Sequence, residues 1–406
     1  MMYLGKPVTF KNGIVLKNRI CKSALSEQLS DRSHNPTPGL IRLYQQWAQG
    51  GAGLLITGNV MLAPDMIGEP KNIVLNEHSP LDTFREWAKA AQSNNCKCFM
   101  QLNHPGRQVP NMLALTPKAP SAVAMHGGMR LAFNKPVALA EDEIRDIIRR
   151  FALSAKLAKD CGFAGVEIHG AHGYLINQFL SPLQNRRTDQ WGGSPENRRR
   201  FALEVYRGIR AAVGDDYPIG IKLSSTDAQA GGYSEADALQ VARVLDEEGI
   251  DFIEVSGGNY ESQVMMGSEQ KLEQGNGYFV DFATSLKRTV KAPVMLTGGL
   301  RNPGFMDALV KEGQCDLIGM GRPFVLEPDL PNRILAGAMT GAIRTPYIKT
   351  GIALVDRMLL INITWYEQQL ARIARGKSPK RNLSPWLSML YTLAALGIKG
   401  MLPRRA

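Results

Sequence analysis

The stretch HGAHGYLINQFLSP, residues 169–182, sets His169 and His172 three positions apart and Tyr174 two positions further on, at the end of the apolar run GVEIHG (165–170). Two imidazoles and a phenol so close allow three chemistries. They can bind a metal, give a core strand a polar end, or grip an oxygen and hand over a proton. A metal needs a third or fourth ligand, and no nearby His, Asp, Glu or Cys has a fitting spacing, so no metal is expected. A lone histidine at a strand end is ordinarily a satisfied core residue. Two of them plus a tyrosine weaken that reading without removing it.

Other residues could join this chemistry. TGGLRN (297–302) and GMGRPF (319–324) place Gly298, Gly299, Gly321 and Arg322 just after two short apolar runs. Glycines let backbone N–H groups approach an anion closely, and an arginine adds a planar charged fork. Each motif alone reads as a simple turn; together they favour a phosphate-bearing ligand. Lys222 lies inside the apolar run IGIKLSS (219–225). A lysine there is seldom buried without an anionic partner. Gln101, Ser26 and Gly58 sit at or just past the ends of three further runs.

Eight such runs are present: NRICKSA (18–24), GLLITG (53–58), KCFMQL (97–102), GVEIHG (165–170), IGIKLSS (219–225), DFIEVSG (251–257), PVMLTGG (293–299) and DLIGMGR (316–322). Continuous apolar character suits parallel strands covered on both faces. Helical patterns separate them. Ile144, Ile147, Ile148, Phe151, Ala155 and Ala158 recur at helical spacing, with Gly162 to end the helix. Ser194–Pro195 reads as a cap and first turn, with Gly214 at the far end. SEAD (234–237) reads as a capping box closed by Gly249. Eight strand–helix units predict an α/β fold, a TIM (β/α)8 barrel over residues 1–340, with a doubly wound sheet as the alternative. The long connections 103–140 and 257–278 leave the C-terminal strand ends, where barrel active sites form. Beyond the barrel, 351–376 and 384–402 read as helices of a C-terminal extension, residues 341–406, that is not an independent domain. No G-x-G-x-x-G follows a strand, so no separate dinucleotide domain is expected.

The 406 residues are 44% apolar and 21% charged, enough for one large core. MMYLGKPVTFKNG lacks the apolar centre of a secretory signal, and no run reads as a membrane span. Cys21, Cys96, Cys98, Cys161 and Cys315 are scattered, which suits reduced thiols and a cytoplasmic location. The net charge of +11 is concentrated partly in RIARGKSPKR (372–381) and KGMLPRRA (399–406). No aromatic–basic interleaving suggests nucleic acid. In the tail, Trp386, Leu387, Leu390, Tyr391, Leu393 and Leu396 fall on or near one side. Packing on the barrel or a second subunit is the ordinary explanation, and contact with a membrane surface the rarer one.

The motifs LKNRI, RLYQQWAQGGAGLLITGNV, QLNHPGRQ, HGAHGYLINQFLSPLQNRRTDQWGGSPENRRRF, TGGL and GMGRPF resemble those of the Old Yellow Enzyme family of FMN-dependent NAD(P)H oxidoreductases. The similarity covers roughly residues 5–340, and 169–201 is its most specific part. The resemblance implies FMN on the strand ends, its phosphate held by Gly298, Gly299, Gly321 and Arg322. Ser23, Ala24, Leu25, Ser26, Gly58 and Gln101 would line the isoalloxazine, with Lys222 at the N1/C2 edge and His169 beside the flavin. His169 and His172 would hold a carbonyl or nitro oxygen of a small-molecule substrate, and Tyr174 would protonate its α-carbon. NAD(P)H would be the co-substrate, in a ping-pong cycle. The alternatives are an NAD(P)H oxidase or a quinone/nitro reductase without a dedicated alkene, or a flavin-bound docking protein. Lys222 stands where many relatives carry arginine, and Ser26 where others have threonine or cysteine. No cysteine follows Cys315, so the iron–sulfur centre of the similar dienoyl-CoA reductases is not expected. A homo-oligomer is compatible with all of this.

Overall fold

The computed structural model describes residues 2–258, 277–352, 356 and 361–396. Each of the eight apolar runs forms a strand: β1 Ile20–Lys22, β2 Leu54–Ile56, β3 Lys97–Asn103, β4 Gly165–Gly170, β5 Ile219–Ser224, β6 Phe252–Ser256, β7 Val294–Thr297 and β8 Leu317–Met320. Every neighbouring pair is parallel. The ring closes where Ile318 of β8 pairs with Ile20 of β1. The (β/α)8 barrel is therefore present and the doubly wound sheet is not.

Alternation along the strands sorts the interior. Phe99, Phe252, Met295, Leu317, Leu54 and Cys21 cluster at one end with Phe10 and Leu16. The latter two come from a hairpin, Val8–Thr9 against Val15–Leu16. Phe10 stacks on Phe252 at 5.9 Å and meets Phe99 edge-on at 6.1 Å. This hairpin is an apolar floor across the N-terminal end of the barrel. The opposite end carries polar residues, because the side chains there need not exclude water from a core.

The helices are α1 Pro38–Gln49, α2 Leu81–Ala91, α3 Glu141–Asp160, α4 Leu175–Leu180, α5 Pro195–Val213, α6 Glu235–Glu247, α7 Val280–Thr289, α8 Pro303–Lys311, α9 Arg322–Leu326 and α10 Leu330–Leu335. Ser194 accepts from the Asn197 N–H as a cap, and Gly214 ends α5 at φ 74°. Ser234 and Asp237 cap α6 reciprocally. Past the barrel come α11 Ile361–Ala374 and α12 Pro385–Leu396. The helix expected over 351–376 is thus described only from Ile361; residues 353–355 and 357–360 lie outside the described residues, as do 259–276 of the sixth connection and 397–406 of the tail. The extension lies against the barrel. Arg42 of α1 donates to the Ala374 carbonyl at 2.7 Å, and Gln28 after β1 donates to Glu367 of α11 at 2.8 Å.

Candidate active site

At the C-terminal end of β4 the chain makes a turn no ordinary residue favours. His172 has φ 61° and Gly173 φ 74°. A non-glycine residue in the left-handed region costs about 1–3 kcal/mol and persists only where its surroundings over-determine it. Here they do. The His172 N–H donates to Ser224 Oγ at 3.1 Å, and Gln108 donates to the His172 carbonyl at 2.9 Å. The Gly173 N–H donates to Asn177 Oδ1, and Gln178 Nε2 donates to the Gly173 carbonyl, both at 2.7 Å. The turn brings three rings together. His169 lies 5.0 Å from His172 and 4.8 Å from Tyr174, edge to face with both. His169 Nδ1 accepts from the Ala171 N–H at 3.3 Å. His172 Nε2 pairs with Ser256 Oγ at 2.7 Å. The cluster can donate to an oxygen and supply a proton, as the spacing of the residues suggests.

Beneath it, inside the barrel, lies a buried charged layer. Lys222 Nζ donates to Glu254 Oε1 at 2.9 Å, and Gln101 Nε2 donates to Glu167 Oε2 at 2.6 Å. The two carboxyls are close enough to act on each other. Among the described residues no donor reaches Glu167 Oε1 or Glu254 Oε2. Burial and the Glu254 charge push the Glu167 carboxyl well up. Burial also acts on Glu254, but the Lys222 charge and bonds from Glu167, Lys222 and Thr297 hold it below its ordinary value. Glu167 is therefore the protonated partner and Glu254 the anion. Glu254 is the counter-charge that Lys222 requires.

The ends of β7 and β8 could cradle an anion. Gly298 and Gly299 have φ 121° and 73°, and a Cβ on Gly299 would stand 2.6 Å from the Tyr278 ring. Gly321 and Arg322 close the opposite side. Arg301, buried behind them, donates to Thr345 Oγ1 and to the Leu300 carbonyl, both at 2.8 Å. Burial, and then the Arg322 charge, lower Arg301 to about 10. Both guanidiniums border one cavity, where they could bind an anion. The cavity they share with Lys222 and His172 has about 670 Å³ of empty space, its open side included.

Of the expected residues, Ser23, Ala24, Leu25, His172, Lys222, Gly298, Gly299, Gly321 and Arg322 line this one cavity. His169 and Tyr174 are buried beside His172. Gln101 is fully buried in the charged layer, with its Oε1 lacking a partner among the described residues. Gly58 borders a different, small cavity together with Ser26. Ser26 donates to Glu69 at 2.7 Å and to Glu367 at 3.2 Å, and lines an apolar space of about 400 Å³ between Leu25, Arg322 and α11. The sequence reading passed over Arg301, Glu167, Glu254 and Glu367. For the first three a signal existed: a second arginine beside TGGL, and a carboxylate in each of two interior strands flanking that of Lys222.

These residues fit FMN. The cradle offers glycine backbone and two cations to a phosphate, and Lys222 brings positive charge to the same cavity. A family model described as the NADH:flavin oxidoreductase / NADH oxidase family matches residues 3–340. The NADH-dependent flavin oxidoreductase iccE of Talaromyces variabilis is 33% identical over 411 residues, covering 92% of this chain and 99% of that protein. The structure of a 2-naphthoyl-CoA reductase in complex with 2-naphthoyl-CoA superposes with a TM-score of 0.78 at 28% identity. That alignment covers 82% of this chain and about half, 52%, of the other. The old yellow enzyme homologue of Zymomonas mobilis superposes at 0.70 with 26% identity, over 84% and 94% of the two chains.

Proposed function

This chain belongs to the NADH:flavin oxidoreductase / NADH oxidase family, and from that premise we propose that it reduces the C=C bond of an alkene activated by a carbonyl or nitro group. FMN held in the cavity would supply hydride transfer from NAD(P)H to the acceptor. The chain's own residues do the rest. Gly298, Gly299, Gly321, Arg301 and Arg322 hold the phosphate. Lys222, paired with Glu254, would bring positive charge to the bound flavin. His169 and His172 donate to the activating oxygen, so that charge developing there meets donors already in place. Tyr174 gives the proton to the α-carbon.

The observation that carries this reading is the His169–His172–Tyr174 cluster set beside the phosphate cradle's cavity. The superposition on a reductase in complex with 2-naphthoyl-CoA, a thioester, supports an acceptor whose double bonds are activated by a carbonyl. The test separates the two half-reactions by stopped-flow flavin absorbance. Tyr174→Phe should leave flavin content and reduction by NAD(P)H nearly unchanged. Reoxidation by a simple enone should slow by about 10²–10⁴, the usual worth of a positioned acid. Reoxidation by a quinone or dioxygen, which needs no carbon protonation, should be spared. Wild-type reoxidation faster with dioxygen than with any enone or nitroalkene would point instead to an oxidase.

A further inference from the structure

Helix α12 is built inside out. A helix on a protein surface ordinarily buries an apolar stripe and shows a polar one. Among the described side chains of α12 the buried ones are Ser388 and Thr392, and Thr392 accepts a hydrogen bond from Gln368 of α11 at 2.9 Å. Met389 and Leu393 are half-buried, but four large apolar residues point outward: Trp386 is 41% exposed, Leu387 43%, Leu390 52% and Tyr391 51%. Their spacing, 386, 387, 390 and 391, makes one continuous stripe. Packing on the barrel, the ordinary explanation for such a tail, does not cover it. A contiguous apolar patch of this kind marks a contact surface.

The ground beside the stripe is basic. The turn between α11 and α12 exposes Arg375, Lys377, Lys380 and Arg381. It is held firmly. Lys380 exchanges two backbone bonds with the Gln369 side chain, at 2.7 and 3.2 Å, and Trp365 donates to the Leu383 carbonyl at 2.8 Å. Residues 371–406 contain eight Lys and Arg and no Asp or Glu. Aromatic and aliphatic side chains beside a cluster of cations are the composition of a helix that lies in a membrane interface. No described helix is long and apolar enough to cross a membrane, which leaves docking in the surface plane.

We propose that α12 and the basic turn before it form a peripheral docking surface for an anionic lipid bilayer, with Trp386, Leu387, Leu390 and Tyr391 entering the interface and Lys377 and Lys380 meeting headgroups. Charge complementarity decides the occupant. A second copy docked through the same face would bring two strongly basic segments together, whereas an anionic bilayer neutralises them. Each basic residue near such a surface is worth about fivefold in partitioning.

The test is co-sedimentation of the flavin-loaded, full-length protein with vesicles of phosphatidylcholine, with and without phosphatidylglycerol. Binding should require the anionic lipid and weaken as salt is raised. Lys377→Glu/Lys380→Glu should weaken partitioning by at least about 25-fold, from two cations at fivefold each. Trp386→Ser/Leu390→Ser should abolish it. Both variants should keep full flavin absorbance, which shows that they fold. No binding to anionic vesicles, or binding that neither variant alters, overturns the proposal. So does a concentration-dependent dimer, seen by sedimentation velocity and lost in Trp386→Ser/Leu390→Ser, for then the stripe joins two copies.

Discussion

Replacing Arg301 with methionine tests the phosphate cradle most directly. Arg301 is buried, and its guanidinium is held at about 10 by burial and by the Arg322 charge, more than two decades below its ordinary value. Because the folded-state value lies below the unfolded one, the charge costs stability at every pH below about 10, and the cost fades only as the pH rises towards the unfolded value. At 1.36 kcal/mol per decade the cost in the cofactor-free protein is about 3 kcal/mol. A bound phosphate supplies the missing anion and returns that energy as binding. Arg301→Met removes the cost but also the bonds to Thr345 and the Leu300 carbonyl, worth about 1 kcal/mol each. The cofactor-free variant should therefore melt close to the wild type. Its FMN affinity should fall by about 10², from 3 kcal/mol at 1.36 kcal/mol per tenfold. Quenching of flavin fluorescence on titration measures this. Riboflavin, which lacks the phosphate, should bind both proteins alike. An FMN Kd within threefold of wild type, or an equal loss for riboflavin, would refute the reasoning.

Further outcomes follow from the same geometry. Glu167→Gln replaces an already neutral carboxyl and should change chemical-denaturation stability by less than about 1 kcal/mol, whereas Glu254→Gln strands the Lys222 charge and should cost about 3–5 kcal/mol. Equal effects would show that the proton sits elsewhere. Gly299→Ala places a methyl 2.6 Å from the Tyr278 ring at φ 73°; the protein should fold, by circular dichroism, yet be purified with little or no FMN. Asn177→Ala removes a support of the strained His172–Gly173 turn; reoxidation by an enone should slow at least about tenfold while reduction by NAD(P)H changes little, both read by stopped-flow.

Much of this was legible in the sequence. All eight strands appear where apolar runs are bounded by glycine and polar residues, because parallel strands buried on both faces have little room for anything else. The ring cluster was legible too, since spacing along one turn fixes proximity. Pairings across the barrel were not. Lys222 announced that it needed an anion, but the choice of Glu254 depends on strand register, Lys222 opposite Glu254 across β5 and β6. Arg301 was hidden by its setting, a turn in which a basic residue is ordinarily solvated. For α12 the apolar residues were visible, but not which way they face. That depends on the preference of Ser388 and Thr392 for α11, a contact formed only in the folded chain.

The hairpin floor has a consequence for how the enzyme must be assayed. With Phe10 stacked across the N-terminal end of the barrel, that end is closed and traffic passes through the C-terminal mouth. On the proposed reaction NAD(P)H and acceptor both reach the flavin from that mouth and compete for it. A rate measured at one generous NADH concentration therefore ranks acceptors by how well they evict the nicotinamide as much as by how fast they react. Acceptor preferences for this protein are comparable only when extrapolated to vanishing reductant.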